Sequence, residues 1–242
     1  MREDLSVCWL GRVDYRAGLA LQERLVHARR QALISDTLVL LEHPPVITLG
    51  RNSDRAHVLQ DAETLERQGI ELHEIGRGGD VTYHGPGQLV GYPVIRLAAD
   101  EKDAHAYLRN LEQGLIDIAA HFGIEASRVE GLTGIWVGNE KLAAIGVRLS
   151  TGWITSHGFA LNVTTDLKGF SAIVPCGIRG RGVTSLAQLL GSSPPLEEVA
   201  AVAAAKISDV LHRQAGPLAD APRLPPGVSW APTASVQQGD RP

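Results

Sequence analysis

The stretch RGGDVTYHGPGQLVGYP, residues 77–93, decides how the chain is read. Gly76, Gly78 and Gly79 precede a run with strand character, not a helix. Dinucleotide fingerprints and phosphate loops need their glycines to open a helix whose N-terminus faces the phosphates, so neither is expected here. The other use of clustered glycines is to let a backbone come close to a ligand and adopt positive φ. A bare Gly-Gly would signal no more than a tight turn. Here Arg77, Thr82, Tyr83 and His84 crowd the same stretch, a density of polar and aromatic groups that suits a binding loop.

Outward from this loop the periodicities alternate between strand and helix. Val7 to Leu10 reads as a strand, and Asp14 is placed to cap a helix to about Ala32 with Leu21, Leu25 and Ala28 on one stripe. TLVLLE (37–42) is a buried strand stopped by His43-Pro44-Pro45, and Val46 to Leu49 is a second. A short helix from Asp61 ends near Gly69, and Ile70 to Ile75 leads as a strand into the glycine loop. Asp103 caps a strong helix ending at Gly123. Ile135 to Val137, Lys141 to Leu149 and Trp153 to Val163 are strands, with Gly138-Asn139 as a hairpin turn. A last helix runs from about Pro195 to Arg213. The fold class expected is α/β (α+β): a mixed sheet flanked by helices. The domain boundary is set at 1–215, followed by a proline-rich tail, 216–242, expected to be mobile or loosely packed.

The chain has 242 residues, a net charge of −4 and no long basic run, which argues against a nucleic-acid protein. No apolar stretch approaches the length of a membrane span, and MREDLSVCWLG lacks the apolar centre of a signal peptide. Two distant cysteines, Cys8 and Cys176, do not make a disulfide framework, so a reducing cytoplasm is the expected setting. His84 has no second histidine at metal-ligand spacing, and no metal is expected. His43 and His157 are further residues to line a pocket.

The two cysteines read differently. Cys8 lies in a plain apolar strand and is expected to pack. Cys176 sits in SAIVPCGI between Pro175, which fixes its own φ and extends Val174, and Gly177, which lets the chain turn. The N–H groups of Cys176 and Gly177 could then face a carbonyl oxygen, as an oxyanion hole requires. A thiol also needs a cation to favour its thiolate. Lys141, opening the apolar strand KLAAIGVRL, is either a lysine snorkelling from a strand end or that cation.

Together these segments resemble the lipoyl(octanoyl) transferase family, the octanoyl-[acyl-carrier-protein]–protein N-octanoyltransferases. The resemblance rests on LLEHPPVITLGR (40–51), RGGDVTYHGPGQLVGYP (77–93), KLAAIGVRL with TSHGFALNV (141–163), and DLKGFSAIVPCGI followed by TSL (166–186). It covers about residues 5 to 212, and RGG-x-x-T-x-HGPGQ paired with a later PCGI is a specific combination. The chain departs from the family pattern at Gly76, where an acidic residue is expected, and in ALNVTTDL, where asparagine is commoner than threonine. Neither departure touches Cys176 or Lys141.

The resemblance implies a two-step transfer. Cys176 takes an octanoyl group from octanoyl-acyl carrier protein as a thioester, with Lys141 as its dyad partner. The acyl group then passes to the ε-amine of a lysine on apo lipoyl domains, those of 2-oxoacid dehydrogenase complexes and glycine cleavage H protein. No cofactor is implied, because the acyl group arrives activated. Acyl-binding positions carry over onto Arg77, Gly78, Gly79, Asp80, Val81, Thr82, Tyr83 and His84, onto Ala144, Ile145 and Gly146, and onto Gly158, Phe159 and Ala160. The fold implied is that of the lipoate- and biotin-protein ligases: a mixed sheet with helices on one face and a smaller sheet beside it. A monomer is expected, without nucleic-acid or membrane partners. Arg51, Arg77, Arg148, Arg179 and Arg181 are candidates to meet an acidic acyl carrier. The rival readings are an ATP-dependent lipoate- or biotin-protein ligase, a thioesterase, and a non-catalytic acyl- or lipoyl-domain-binding protein.

Overall fold

Strand β1 (Glu3–Arg12) leads to Asp14, whose carboxylate accepts from the Ala17 N–H and starts helix α1 (Tyr15–Arg30). This is a computed structural model, and it describes residues 3–174, 180–192, 194–225, 228 and 230. Next come β2 (Asp36–Glu42) and β3 (Val46–Leu49), then α2 (Ala62–Arg67), capped by the Asp61 carboxylate, and β4 (Glu71–Glu74). The glycine-rich loop follows and enters β5 (Val81–His84) and β6 (Gln88–Val94). Helix α3 (Ala104–His121) starts at Asp103, whose carboxylate accepts from the N–H groups of His105 and Ala106. A meander of β7 (Ser127–Val129), β8 (Leu132–Val137), β9 (Glu140–Ser150) and β10 (Ile154–Asn162) follows. The described chain ends with β11 (Gly182–Val183), α4 (Leu186–Leu190), α5 (Leu196–Val210) and β12 (Arg213–Ala219).

The main sheet runs β12-β1-β2-β6-β10-β9-β8-β7, with β11 added beside β9. Strands β12, β1 and β2 are mutually parallel, and β2 to β8 alternate antiparallel along the sheet. A second sheet, β4-β3-β5, holds the loop that precedes β5. The α/β class with a large mixed sheet and a smaller one is therefore as the sequence implied. The placement of helices is not. Helices α3 and α5 cover one face, but α1 covers the other, where Leu21 and Leu25 pack on Val39, Leu41 and Val90. Both faces of β2 are thus buried, Leu38 and Leu40 against one core and Val39 and Leu41 against the other. That is why TLVLLE is a continuous apolar run and not an alternating one.

The expected boundary between residues 215 and 216 falls inside β12, which pairs in parallel with β1 from Glu3↔Arg213 to Cys8↔Ala219. RQAGPLA hides this strand from pattern reading. It carries a glycine and a proline, which sheets tolerate at an edge, and β12 is an edge strand. The preceding helix ends at Val210, not Arg213. Further on, Leu224 and Trp230 pack against the core on the α1 side. Cys8 is fully buried, and burial pushes its thiol up to about 12, so it packs and stays protonated, as its setting in an apolar strand suggested.

Candidate active site

The loop that precedes β5 lies across the middle of β9. The Gly78 N–H donates to the Val147 carbonyl at 2.9 Å. Arg77 is 7% exposed and donates from Nη2 to the carbonyl and hydroxyl of Thr48 at 2.8 and 2.9 Å, and from Nη1 to the Gly78 carbonyl at 3.0 Å. A side chain at Gly146 would stand 3.0 Å from the Arg77 Cδ and 3.1 Å from the Gly78 carbonyl oxygen, so it would push this loop outward. Burial also removes Arg77 from the residues open to a partner protein. Arg51 and Arg148 remain exposed, Arg181 is half-buried, and Arg179 lies outside the described residues.

This crossing closes a cavity of about 50 Å³ between the two sheets. Its walls are Arg77, Gly79, Asp80, Val81, Thr82 and His84 from the loop and β5, Ala144, Ile145 and Gly146 from β9, and Gly158, Phe159 and Ala160 from β10. Three separate sequence segments singled out for one role thus meet at one place. Two of the named residues do not line it. Gly78 is spent on the backbone bond to Val147, and Tyr83 turns to the other face of β5, where its ring meets Phe170 edge-on at 5.4 Å. The cavity also takes residues that sequence reasoning missed, Tyr15 of α1 and Val90 and Tyr92 of β6. A volume of 50 Å³ holds a few waters.

His84 and His157 stand in this wall, whereas His43, also expected to line a pocket, lies behind it against Tyr92; all three are held neutral. His43 lies 2.7 Å from the Tyr92 hydroxyl through Nε2 and 2.7 Å from the Val13 carbonyl through Nδ1. His84 Nδ1 lies 2.7 Å from Gln88 Oε1, and the His43 and His84 rings are 6.2 Å apart. Burial is the main cause that lowers all three imidazoles, His84 to about 3 and His43 and His157 to about 4. The Arg77 charge lowers His84 and His157 further. Among the described residues no cluster of His, Cys, Asp and Glu could hold a metal ion.

At Gly158 the backbone of β6 lies hard against β10. A Cβ there would collide with the Gly91 carbonyl oxygen and stand 2.6 Å from the Pro93 Cδ. Neither is a flexible side-chain end, so Gly158→Ala must force the strands apart. The variant is expected to lose about 1–3 kcal/mol of stability, the usual cost of overpacking. Urea unfolding of both proteins measures this, and an unchanged midpoint would show that the strands adjust freely.

Lys141 follows Glu140 at the start of β9, three residues before Ala144, and is 7% exposed, so it does not snorkel into water. Its Nζ sits 4.8 Å over the ring of Trp136, the residue paired with it across the β8–β9 hairpin. Arg181 stacks on the same ring at 5.0 Å. The Gly138-Asn139 turn could have revealed Trp136, because a two-residue hairpin fixes which residues face each other. Cys176, with Pro175 and Gly177, lies outside the described residues. Its flanks are held. The Val174 N–H donates to the His57 carbonyl at 2.8 Å, β11 pairs Val183 with Lys141, and the Thr184 N–H donates to the Lys141 carbonyl at 3.0 Å.

Comparison with known proteins agrees with this architecture. The family described as lipoyl protein ligase A/B catalytic domain matches residues 14–208. An octanoyltransferase of Solibacter usitatus is 55% identical over 190 residues, 78% of this chain and 85% of the relative. Among solved structures, a bipartite lipoate protein ligase from Thermoplasma acidophilum superposes with a TM-score of 0.68 at 18% identity, over 90% of this chain and 88% of that one. A biotin protein ligase from Aquifex aeolicus gives 0.54 at 16% identity, over 85% and 70%. At such identities these two matches establish the fold alone.

Proposed function

The chain belongs to the lipoyl protein ligase A/B catalytic-domain family, among its octanoyltransferases, and on that premise we propose that it moves an octanoyl group from octanoyl-acyl carrier protein to a lysine of apo lipoyl domains. The acceptors are the lipoyl domains of 2-oxoacid dehydrogenase E2 subunits and glycine cleavage H protein, and the product is the octanoylated precursor for lipoylation.

In the first step the Cys176 thiolate attacks the donor's thioester carbon. The C–S bond to the carrier's phosphopantetheine breaks, and that sulfur leaves and takes up a proton. In the second, the neutral ε-amine of the acceptor lysine attacks the acyl-enzyme. The Cys176 sulfur leaves, and the nitrogen gives up a proton to form the amide. Splitting one transfer into two is the gain of covalent catalysis. Lys141 supplies the cation that favours the thiolate and a group that exchanges protons. The acyl chain lies between the glycine loop and β9–β10, against small and apolar side chains. The exposed Arg51 and Arg148 are available to an acidic carrier.

One observation supports the reading: Val183 and Thr184, a short way after Cys176 in the sequence, are bonded to the Lys141 backbone, the first in the β11–β9 ladder and the second through its N–H. Intact-mass spectrometry after mixing with octanoyl-acyl carrier protein tests it. The wild type is expected to gain one octanoyl group, removable by hydroxylamine at neutral pH, and to pass it to an apo lipoyl domain without ATP. Cys176→Ser is expected to gain none that hydroxylamine removes. Lipoyl-domain modification that persists in Cys176→Ser and needs ATP would replace this reading with a ligase. Release of free octanoate faster than transfer would replace it with a thioesterase.

A further inference from the structure

Strand β10 breaks its own alternation at His157. Ile154 and Ala160 face α1, whereas Phe159 and Leu161 face α3 and α5. By parity His157 belongs with Phe159. Its φ of +55° turns the ring to the α1 side instead, edge-on to Tyr92 at 6.4 Å. The displaced N–H donates to Gln22 Oε1 of α1 at 2.7 Å. The other described non-glycine residues with positive φ, Ala32, Trp153 and His212, lie outside helices and strands or in a turn. Among the described non-glycine residues His157 alone has this conformation inside a strand, and such strain persists where the surroundings enforce it, commonly at working sites.

The turned ring stands between two cavities. Among the described residues His157 is the only one that lines both the cavity under the glycine loop and a second of about 470 Å³. The second lies between α1 and the ends of β9 and β4, and its walls are mixed: Leu19, Val26 and Ile75 stand beside the charged Glu23, Arg30, Glu74 and Arg148. Position along the sheet gives the partition a direction. Lys141 lies near the start of β9, Ala144 to Gly146 line the first cavity, and Val147, next along, is the residue that His157 faces on β10. His157 therefore closes the end of the first cavity farthest from Lys141.

We propose that His157 is a specificity-determining residue that sets acyl chain length, its ring blocking chains longer than eight carbons from the cavity behind it. This rests on the reading of the first cavity as the acyl site. Gln22 is the positioning residue, because it holds the backbone turn that aims the ring.

The test uses single-turnover acylation of the full chain by octanoyl-, decanoyl- and dodecanoyl-acyl carrier protein, read by intact mass. His157→Gly removes the ring and suits the positive φ, leaving the N–H to Gln22 in place. His157→Asn, whose side chain also tolerates the left-handed region, is the second variant should glycine not fold. The dodecanoyl-to-octanoyl ratio of acylation rates is expected to rise at least about tenfold in the glycine variant and less in the asparagine one. A general loss of structure would lower all rates without moving the ratio. A ratio unchanged from wild type in a folded variant overturns the partition. Absence of any octanoyl adduct on wild type overturns the function itself, so the two failures are distinct.

Discussion

Lowering the pH from 7 to 5 is expected to destabilise the protein by about 2 kcal/mol for each of His43, His84 and His157. The sign follows from proton counting. The folded protein holds these imidazoles at about 4, about 3 and about 4. The unfolded chain takes up protons near the ordinary histidine value of about 6.5. Between those limits the unfolded state binds protons that the folded state refuses, so stability is full above about 6.5 and falls as the solution is acidified. Neighbouring sites do not add strictly, and His43 and His84 lie close enough to couple. Urea unfolding at pH 7.5 and 5.0 measures the drop. A midpoint that does not move would show that the histidines are protonated in place. His84→Gln, which cannot charge, is expected to flatten the pH dependence while keeping an amide beside Gln88.

Asp36→Ala is expected to destabilise the protein by about 3–5 kcal/mol, the usual loss when one partner of a buried ion pair is removed. Asp36 is fully buried and accepts from Arg29 Nε at 2.6 Å, from Arg213 Nε at 2.7 Å and from the Arg96 N–H at 2.9 Å. Arg213 in turn grips both oxygens of Glu101, at 2.7 and 2.8 Å, and these carboxylates hold its guanidinium above the ordinary range. One carboxylate thus joins the end of α1, the start of β2, the segment after β6 and the first residue of β12. Alanine leaves two buried guanidinium groups without that partner. Chemical denaturation of Asp36→Ala measures the loss, and a cost under about 1 kcal/mol would class the cluster with weak surface pairs. Asp36→Leu combined with Arg213→Met is expected to cost less than Asp36→Ala alone, because an apolar replacement of both partners strands no charge there.

Much of the molecule follows from the sequence alone, and what does is local. Asp14, Asp61 and Asp103 announce their helices because a carboxylate caps N–H groups two or three residues away. The unbroken apolar run of TLVLLE announces a strand covered on both faces. Gly138-Asn139 sets Trp136 opposite Lys141, and the glycines around Arg77 announce a backbone laid close against something.

Tertiary structure alone decides what lies far apart in the chain. Tyr15, Tyr92 and His157 converge on the cavity under the glycine loop through the crossing of α1, β6 and β10, which no local period encodes. The edge strand β12 forms because β1 offers it a ladder, although its own residues disfavour a strand. His157 turns against the alternation of its own strand because Gln22, 135 positions earlier, takes its N–H. Periods of two and 3.6 are properties of neighbouring residues. Which face of a strand meets which helix is a property of packing, and packing exists only once the chain has closed on itself.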